Sequence, residues 1–304
     1  MYSLEPETIC DHFVSTETKK LWNIMLDIYS EIKRLCQKHD IKYYAFAGTL
    51  LGAARHQGFI PWDDDMDLYM MPEDYMKFLK VAEKELEYPY SLQTCFNDKY
   101  IGSLCSRVRR DDTTGCTEWE YKHWHNEGSK GIFVDIFPRY YLNERGIKNT
   151  WQKFRLTCIK ALQSGFERTE RLKSRHDAGL KAKFDPRVLL WQICKHFTSY
   201  QKLNIKFVRI CSEVKFSDRF GSPLGKRYYL TKWNSKTMDL PFDGTTLPCT
   251  AFYDEFLTSV YGNWHAFIKG TSRHQFYVVD PEIPYKDYFK DYYQGKMEKI
   301  GGRQ

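Results

Sequence analysis

Four aspartates crowd into five positions, Asp63, Asp64, Asp65 and Asp67, in the stretch "PWDDDMDLYMM". Carboxylates that close raise one another's pKa unless a cation takes up the charge. In an extended strand residues i and i+2 face the same way, so Asp65 and Asp67 are expected on one side, with Met66, Leu68 and Met70 buried on the other. A D-x-D pair of this kind suits Mg²⁺ (or Mn²⁺), hard ions held by carboxylates together with water and substrate phosphates. Upstream, Gly48 lets backbone approach a phosphate and Thr49 offers a hydroxyl and an N–H; the pair is expected to form a tight turn. Downstream, Asp135 in "GIFVDIFP" is a lone acid in an apolar strand, costly unless a cation or partner meets it. It is the candidate third carboxylate.

Other residues could serve such a site. Arg55 and His56, between turn and acids, could donate to phosphate, or form an ordinary surface pair. Arg107 and Arg109, two apart in "SRVRR", share a strand face and could line the same cleft, or protect an exposed edge. Trp62 could stack on a base or meet a quaternary ammonium, or simply wedge the acidic loop in place. Asp63 and Asp64 are read as shaping that loop, with Asp63 the better candidate for indirect metal support. His123 and His125, with Cys116 upstream, match no standard zinc spacing and are read as loop histidines.

Strands and helices must position these groups. Leu21, Met25, Ile28, Ile32 and Leu35 mark an amphipathic helix over Thr18–His39. "IKYYAFAG", "MDLYMM", "YSLQTCF", "IGSLCSRVRR" and "KGIFVDIFP" read as strands, and Pro72 opens a helix with Tyr75, Phe78, Leu79, Ala82 and Leu86 as its apolar stripe. The pattern turns mainly helical from Lys148 to about Lys215, with Pro186 opening a second run. A last helix, "AFYDEFLTSVYG", ends at Gly262. This predicts an α/β (α+β) chain: a mixed-sheet core over 1–145 with an N-terminal helix, then a helical region and C-terminal segment over 146–304 that complete a substrate cleft.

With 42% hydrophobic and 28% charged residues in a 304-residue chain, disorder is excluded as the default. A net charge of +7 suits anionic partners without choosing among them. Nine scattered cysteines with no C-x-x-C pair read as reduced core residues of a cytosolic protein. The acidic N-terminus does not resemble a signal peptide, and no run approaches the ~18 apolar residues of a membrane span. The expectation is a cytoplasmic protein, compatible with peripheral association at the inner membrane face.

The stretch "GTLLGAARHQGFIPWDDDMDL", continued by "PYSLQT", "GIFVDIFP" and "LPCTAFYDEFLTSVYGNW", resembles the signature of the LicD family of phosphotransferases, to which the fukutin-related proteins are also similar. The resemblance implies a nucleotidyltransferase fold of the DNA polymerase β type. Gly48 and Thr49 would then form the phosphate-side turn, Asp65 and Asp67 would hold the metal, and Asp135 would be the third acid. It further implies transfer of a phosphorylated alcohol, most simply phosphocholine, from a CDP-linked donor to a sugar hydroxyl of a cell-surface glycan or teichoic acid precursor, releasing CMP. The implied partners are a CDP-alcohol such as CDP-choline and a glycan acceptor, free or lipid-linked, rather than nucleic acid. Arg273 and His274 fall where the family often has a similar basic pair, implying acceptor or phosphate contact. Departures are small: Ala47 stands where glycine is frequent, Ala54 for valine, Gln57 for lysine and Met66 for isoleucine. A D-x-D glycosyltransferase using a nucleotide-sugar, and an inactive binding module on the same fold, are the competing expectations. The short interval from Thr49 to the acids, and the presence of Asp135, favour the phosphotransferase.

Overall fold

Leu21, Met25, Ile28, Ile32 and Leu35 recur at three and four because they form one face of α1 (Thr16–Lys38), and all five are buried. Ser15 caps its start, accepting from Thr18 N at 3.2 Å. The computed structural model describes residues 3–98, 100–122, 128–144, 146–177, 185–267 and 276–290. The chain forms two compact units, each assembled from separate stretches: Met1–Gln93, Ser106–Pro138 and Ser235–Gln304 in one, Thr94–Cys105 and Arg139–Asn234 in the other. Beside the single division at 145/146 read from the sequence, this one is discontinuous, with Ser235–Gln304 clustering with the sheet.

The first unit is built on a mixed sheet of β1 (Tyr44–Ala45), β2 (Asp67–Met70), β3 (Tyr90–Gln93), β4 (Ser106–Arg110) and β5 (Ile132–Pro138). Their spatial order is β1-β2-β5-β4-β3, with β2 and β5 parallel and every other pair antiparallel. A mixed α/β core was expected, and the five strands are those read from the sequence. β2 departs in detail: it begins only at Asp67, leaving Asp65 just ahead of it, and Leu68, Tyr69 and Met70 are all buried. Alternation predicts one buried face; an internal strand between β1 and β5 is covered on both.

Gly48 and Thr49 depart further. They lie in the first turn of α2 (Ala47–His56), not in a tight turn, because Leu50, Leu51 and Ala53 behind them bury a helical face. α3 (Pro72–Glu85) follows expectation: Pro72 opens it, Glu73 and Asp74 sit in its first turn, and Tyr75, Phe78, Leu79 and Ala82 are buried.

A C-terminal hairpin, Thr237–Phe242 with Thr245–Thr250, turns at Asp243 and Gly244, both at positive φ (44° and 78°). Consecutive positive φ values match the twist of a tight hairpin. Its tip grips the loop leaving α2: Asp243 N donates to Gln57 O at 2.8 Å, and Asp243 Oδ2 accepts from Phe59 N at 2.8 Å. Next comes the expected helix, Tyr253–Tyr261, capped by Gly262. Val278–Asp280 then pairs with Thr114–Cys116.

The second unit packs α4 (Ile147–Asp177), α5 (Pro186–Cys194) and α6 (Tyr200–Cys211) around Leu156, Ile159, Trp191, Leu203 and Phe207. A small antiparallel sheet of Tyr140–Tyr141, Arg219–Gly221 and Tyr228–Leu230 completes it. Cys36, Cys95, Cys116, Cys211 and Cys249 are buried, as core cysteines should be, whereas Cys10 and Cys158 are exposed. Among the described residues no helix is long and apolar enough to cross a membrane.

Candidate active site

The parallel register of β2 and β5 sets Asp67 opposite Asp135, and the antiparallel register of β4 sets Arg107 opposite Asp135 on its other side. Paired residues on neighbouring strands point to the same face of a sheet. Asp67, Asp135 and Arg107 therefore form one row across three strands. Arg107 Nε donates to Asp135 Oδ1 at 2.9 Å, which stabilises a carboxylate that is almost wholly buried.

Just ahead of β2, the loop draws Asp63, Asp64 and Asp65 together, with a carboxylate oxygen from each lying within 4.8 Å of the others. Burial, followed by the charges of Asp63, Asp64 and Asp135, pushes the Asp65 carboxyl up to about 8. Asp65 thus senses both the loop acids and the strand acid. A divalent cation would remove the repulsion, and an all-oxygen donor set of this charge fits Mg²⁺ or Mn²⁺. Asp63 and Asp64, read from the sequence as shaping the loop, with Asp63 the candidate for indirect metal support, both bring a carboxylate to the cluster.

Several backbone contacts hold the loop. Trp22 Nε1 donates to Asp63 O at 3.0 Å, and Phe276 N approaches Asp64 Oδ2 at 3.5 Å. Gly48 is required by space: a Cβ there would fall 2.6 Å from Asp63 Oδ2. Thr49 Oγ1 accepts from Asp67 N at 2.8 Å, so its hydroxyl fixes the start of β2. Ala47, where glycine is frequent in the resembled family, has φ of +46°, a region that favours glycine.

Arg109 lies elsewhere than expected. It is fully buried, and its donors are spent inside the protein: Nε to Gln93 Oε1 at 2.7 Å, Nη1 to Gly131 O at 2.7 Å and Gly115 O at 3.2 Å, and Nη2 to Glu120 Oε1. β4 is an internal strand, so this guanidinium enters the core and lines no open surface. Arg107 Nη1 also reaches Glu120 Oε1, at 2.9 Å, and both guanidinium groups lie over the Phe133 ring, 3.9 and 4.5 Å from its centre. Burial alone would raise the Glu120 carboxyl, but Arg109, Arg107 and the Thr117 hydrogen bonds bring it down to about 2. Sequence reasoning missed Glu120. The signal available was Thr117-x-x-Glu120, a capping-box spacing, and Thr117 N does donate to Glu120 Oε2 at 2.9 Å.

Arg55, His56 and Trp62 gather around Phe267. Arg55 Nη1 donates to the carbonyls of Trp264 (3.3 Å) and Ala266 (3.4 Å), and its Nε donates to His56 Nε2 at 3.0 Å. Trp62 meets the Phe267 ring edge-on at 5.3 Å, and the His56 ring is 6.1 Å from it. Burial and the neighbouring Arg55 lower the His56 pKa, favouring the neutral ring that accepts from Arg55. Arg273, His274, His123 and His125 lie outside the described residues.

Residues 40–164 match the family model described as LicD/FKTN/FKRP, nucleotidyltransferase domain. This stretch is thus similar to the nucleotidyltransferase domain of that family. Over 256 residues the chain is 27% identical to the lipopolysaccharide cholinephosphotransferase LicD of Haemophilus influenzae (strain ATCC 51907 / DSM 11121 / KW20 / Rd), covering 79% of this chain and 88% of that protein. It is also 39% identical over 121 residues to an uncharacterized protein of Rickettsia prowazekii (strain Madrid E), covering 39% of this chain and 38% of that one. Over 126 residues it is 40% identical to an uncharacterized protein of Rickettsia typhi (strain ATCC VR-144 / Wilmington), covering 41% and 36% respectively.

Proposed function

We propose that this chain transfers phosphocholine, or a closely related phosphorylated alcohol, from a CDP-linked donor to a sugar hydroxyl of a cell-surface glycan or teichoic acid precursor, releasing CMP. The observation that carries this reading is the cluster of Asp63, Asp64 and Asp65 ahead of the Asp67–Asp135 row, where burial and then the charges of Asp63, Asp64 and Asp135 push Asp65 up to about 8. The similarity to a lipopolysaccharide cholinephosphotransferase supports the choice of phosphocholine and glycan. The mixed sheet, with acids on neighbouring strands beside a helix N-terminus, supports a nucleotidyltransferase fold of the DNA polymerase β type.

In this reading Asp65, Asp67 and Asp135, joined by the two loop acids, hold Mg²⁺ or Mn²⁺. Such an ion supplies positive charge where negative charge builds on a diphosphate. Gly48 and Thr49 set the first turn of α2 beside the acids, where helix N–H groups without intrahelical partners suit phosphate oxygens. Asp135, oriented by Arg107, positions the acceptor hydroxyl and takes its proton. Trp62 offers a ring face to base or choline, Arg55 and His56 border the donor phosphates, and Arg273 and His274 contact acceptor or phosphate. Arg109 acts only through Glu120 and Arg107. The enzyme works at the cytoplasmic side of the membrane.

Incubation with CDP-choline, CDP-ethanolamine, CDP-glycerol and CDP-ribitol, each with Mg²⁺ and glycan acceptors, tests the proposal by CMP formation. Metal-dependent CMP release with one donor is expected. No CMP from any donor with any acceptor overturns it, and release of a different nucleotide from a nucleotide-sugar identifies a glycosyltransferase.

A further inference from the structure

In the second unit the strands Arg219–Gly221 and Tyr228–Leu230 pair antiparallel, and the loop between them turns with Gly225 N donating to Ser222 O at 2.8 Å. This hairpin, the segment 142–144 and the first turns of α4 line a cavity of about 620 Å³. That volume lies within the ~300–1,000 Å³ of small-molecule pockets. Asn149, Gln152 and Lys153, spaced at three and four, bring one face of α4 to it. Gln152 is 4% exposed and fixed from both ends: its Oε1 accepts from Asn143 Nδ2 and its Nε2 donates to Ile210 O, each at 2.9 Å. The helix wall and the segment before it are thus tied together by hydrogen bonds.

Charge selects the kind of ligand. Four cations in the lining, Lys153, Arg219, Lys226 and Arg227, outnumber two acids, Glu144 and Asp218. Among the described residues none of the four makes an ion pair or a side-chain hydrogen bond. Arg219 instead lies over the Tyr228 ring, 4.5 Å from its centre, which steadies the guanidinium and leaves its donors open. Two basic residues that α4 places elsewhere are engaged: Arg155 pairs with Glu213 at 2.8 Å, and Lys160 lies 5.9 Å from the centre of the Phe207 ring. The first turn of α4, where Asn149 meets the cavity, carries no acid, so its N–H groups add to the positive potential. One exposed, unpaired lysine is ordinary, but four cations converging on one cavity attract an anion.

The neutral groups narrow the class further. Asn143, Asn149, Ser217 and Ser222 supply amides and hydroxyls, the donors and acceptors that match sugar hydroxyls. Tyr228, 50% exposed, adds an aromatic surface for the apolar side of a sugar ring. A concave, polar cavity of this size holds more than a lone phosphate ion and gives a flat bilayer no entry.

We propose that this cavity binds a phosphorylated sugar, with Arg219, Lys226 and Arg227 on the phosphate and Asn143 and Asn149 on the sugar hydroxyls. In the transfer reading above such a sugar belongs to the acceptor glycan, and only this clause rests on that reading. Binding is measured without donor or metal, so the two proposals fail separately.

Isothermal titration of the full chain in metal-free buffer with glucose 6-phosphate, mannose 6-phosphate and N-acetylglucosamine 6-phosphate, beside glucose and inorganic phosphate, tests it. At least one sugar phosphate should bind about tenfold or more tighter than glucose or phosphate, and more weakly as salt rises. Arg219→Gln/Arg227→Gln should lower that affinity by about tenfold or more with an unchanged melting curve, since both side chains are exposed. Asp65→Asn should bind the sugar phosphate as the parent does, which separates the cavity from the acidic cluster. No binding of any of the three, phosphate alone binding as tightly, unchanged affinity in the arginine variant, or loss of binding in Asp65→Asn would each overturn the proposal. Tighter binding of a polyglutamate peptide would overturn it as well, assigning the cavity to an acidic protein segment.

Discussion

Arg107 Nε lies 2.9 Å from Asp135 Oδ1, joining the candidate catalytic acid to a buried cluster with Glu120 and Arg109. The two arginines and two acids balance in charge, which lets four ionised groups share a largely water-free region. Asp135 is held by this cluster on one side, stands opposite Asp67 in the β2–β5 register on the other, and its charge acts on Asp65.

Asp135→Asn keeps the shape of the side chain but loses the charge and the proton acceptor. Turnover should fall by about 10³-fold or more with the fold intact. Arg107→Lys, which cannot span Asp135 and Glu120 with the same planar fork, should lower kcat by roughly 10–100-fold with little change in KM for the donor. CMP release under saturating donor measures both, and normal turnover by Asp135→Asn removes it from the site.

Removing Arg109 leaves buried Glu120 with Arg107 as its one cationic partner, beside the Thr117 hydrogen bonds. Arg109→Ala should destabilise the protein by about 3–5 kcal/mol in urea unfolding, far beyond an ordinary surface substitution. The Glu120 carboxyl, held at about 2 against an ordinary 4.5, contributes stability that is present above about 4.5 and lost as pH falls towards 2. Glu120→Gln should flatten that acid limb of the stability curve.

Asp65 has the opposite sign. Its carboxyl, raised from 3.8 to about 8, binds a proton more readily folded than unfolded, so its contribution is fully present below pH 3.8 and lost as pH rises through about 8. The metal-free protein should lose stability over that window, and Asp65→Asn should restore on the order of 1 kcal/mol or more at pH 8. Mg²⁺ must displace the same proton, so its affinity should increase with pH up to about 8. At a hundredfold excess over its Kd it should stabilise the fold by about 2.7 kcal/mol. Melting curves with and without Mg²⁺ across pH check all three, and a metal shift independent of both pH and Asp65 would place the ion elsewhere.

Gly48 and the Asp63 carboxylate are too close to admit a Cβ between them. Gly48→Ala should displace Asp63, weaken Mg²⁺ binding by about tenfold and leave the melting temperature within a few degrees, because the change falls in the first turn of a helix. Isothermal titration with Mg²⁺ reads the affinity. Unchanged affinity would show that Asp63 is not a ligand.

Much of this was legible in the chain. The five core strands, α1, α3 and the last capped helix follow from apolar spacing, Pro72 and Gly262, which are local signals. So are the acids themselves, since a D-x-D ahead of an apolar run and a lone Asp135 in another are unusual wherever they fall. Register is not local. That Asp67 faces Asp135, and that Arg107 rather than Arg109 meets it, depends on strands distant in sequence pairing at one particular offset. Helix against turn at Gly48 was decided by the burial of Leu50, Leu51 and Ala53, a tertiary fact that overrides what glycine permits. The fully buried Arg109 could not be told from an exposed one, because a charged residue reads as surface until the partners that neutralise it are brought together. Residue types and their order thus specified which chemistry was available. Folding decided which acids lie together and which arginine supports them, because only packing sets the distances over which charges act.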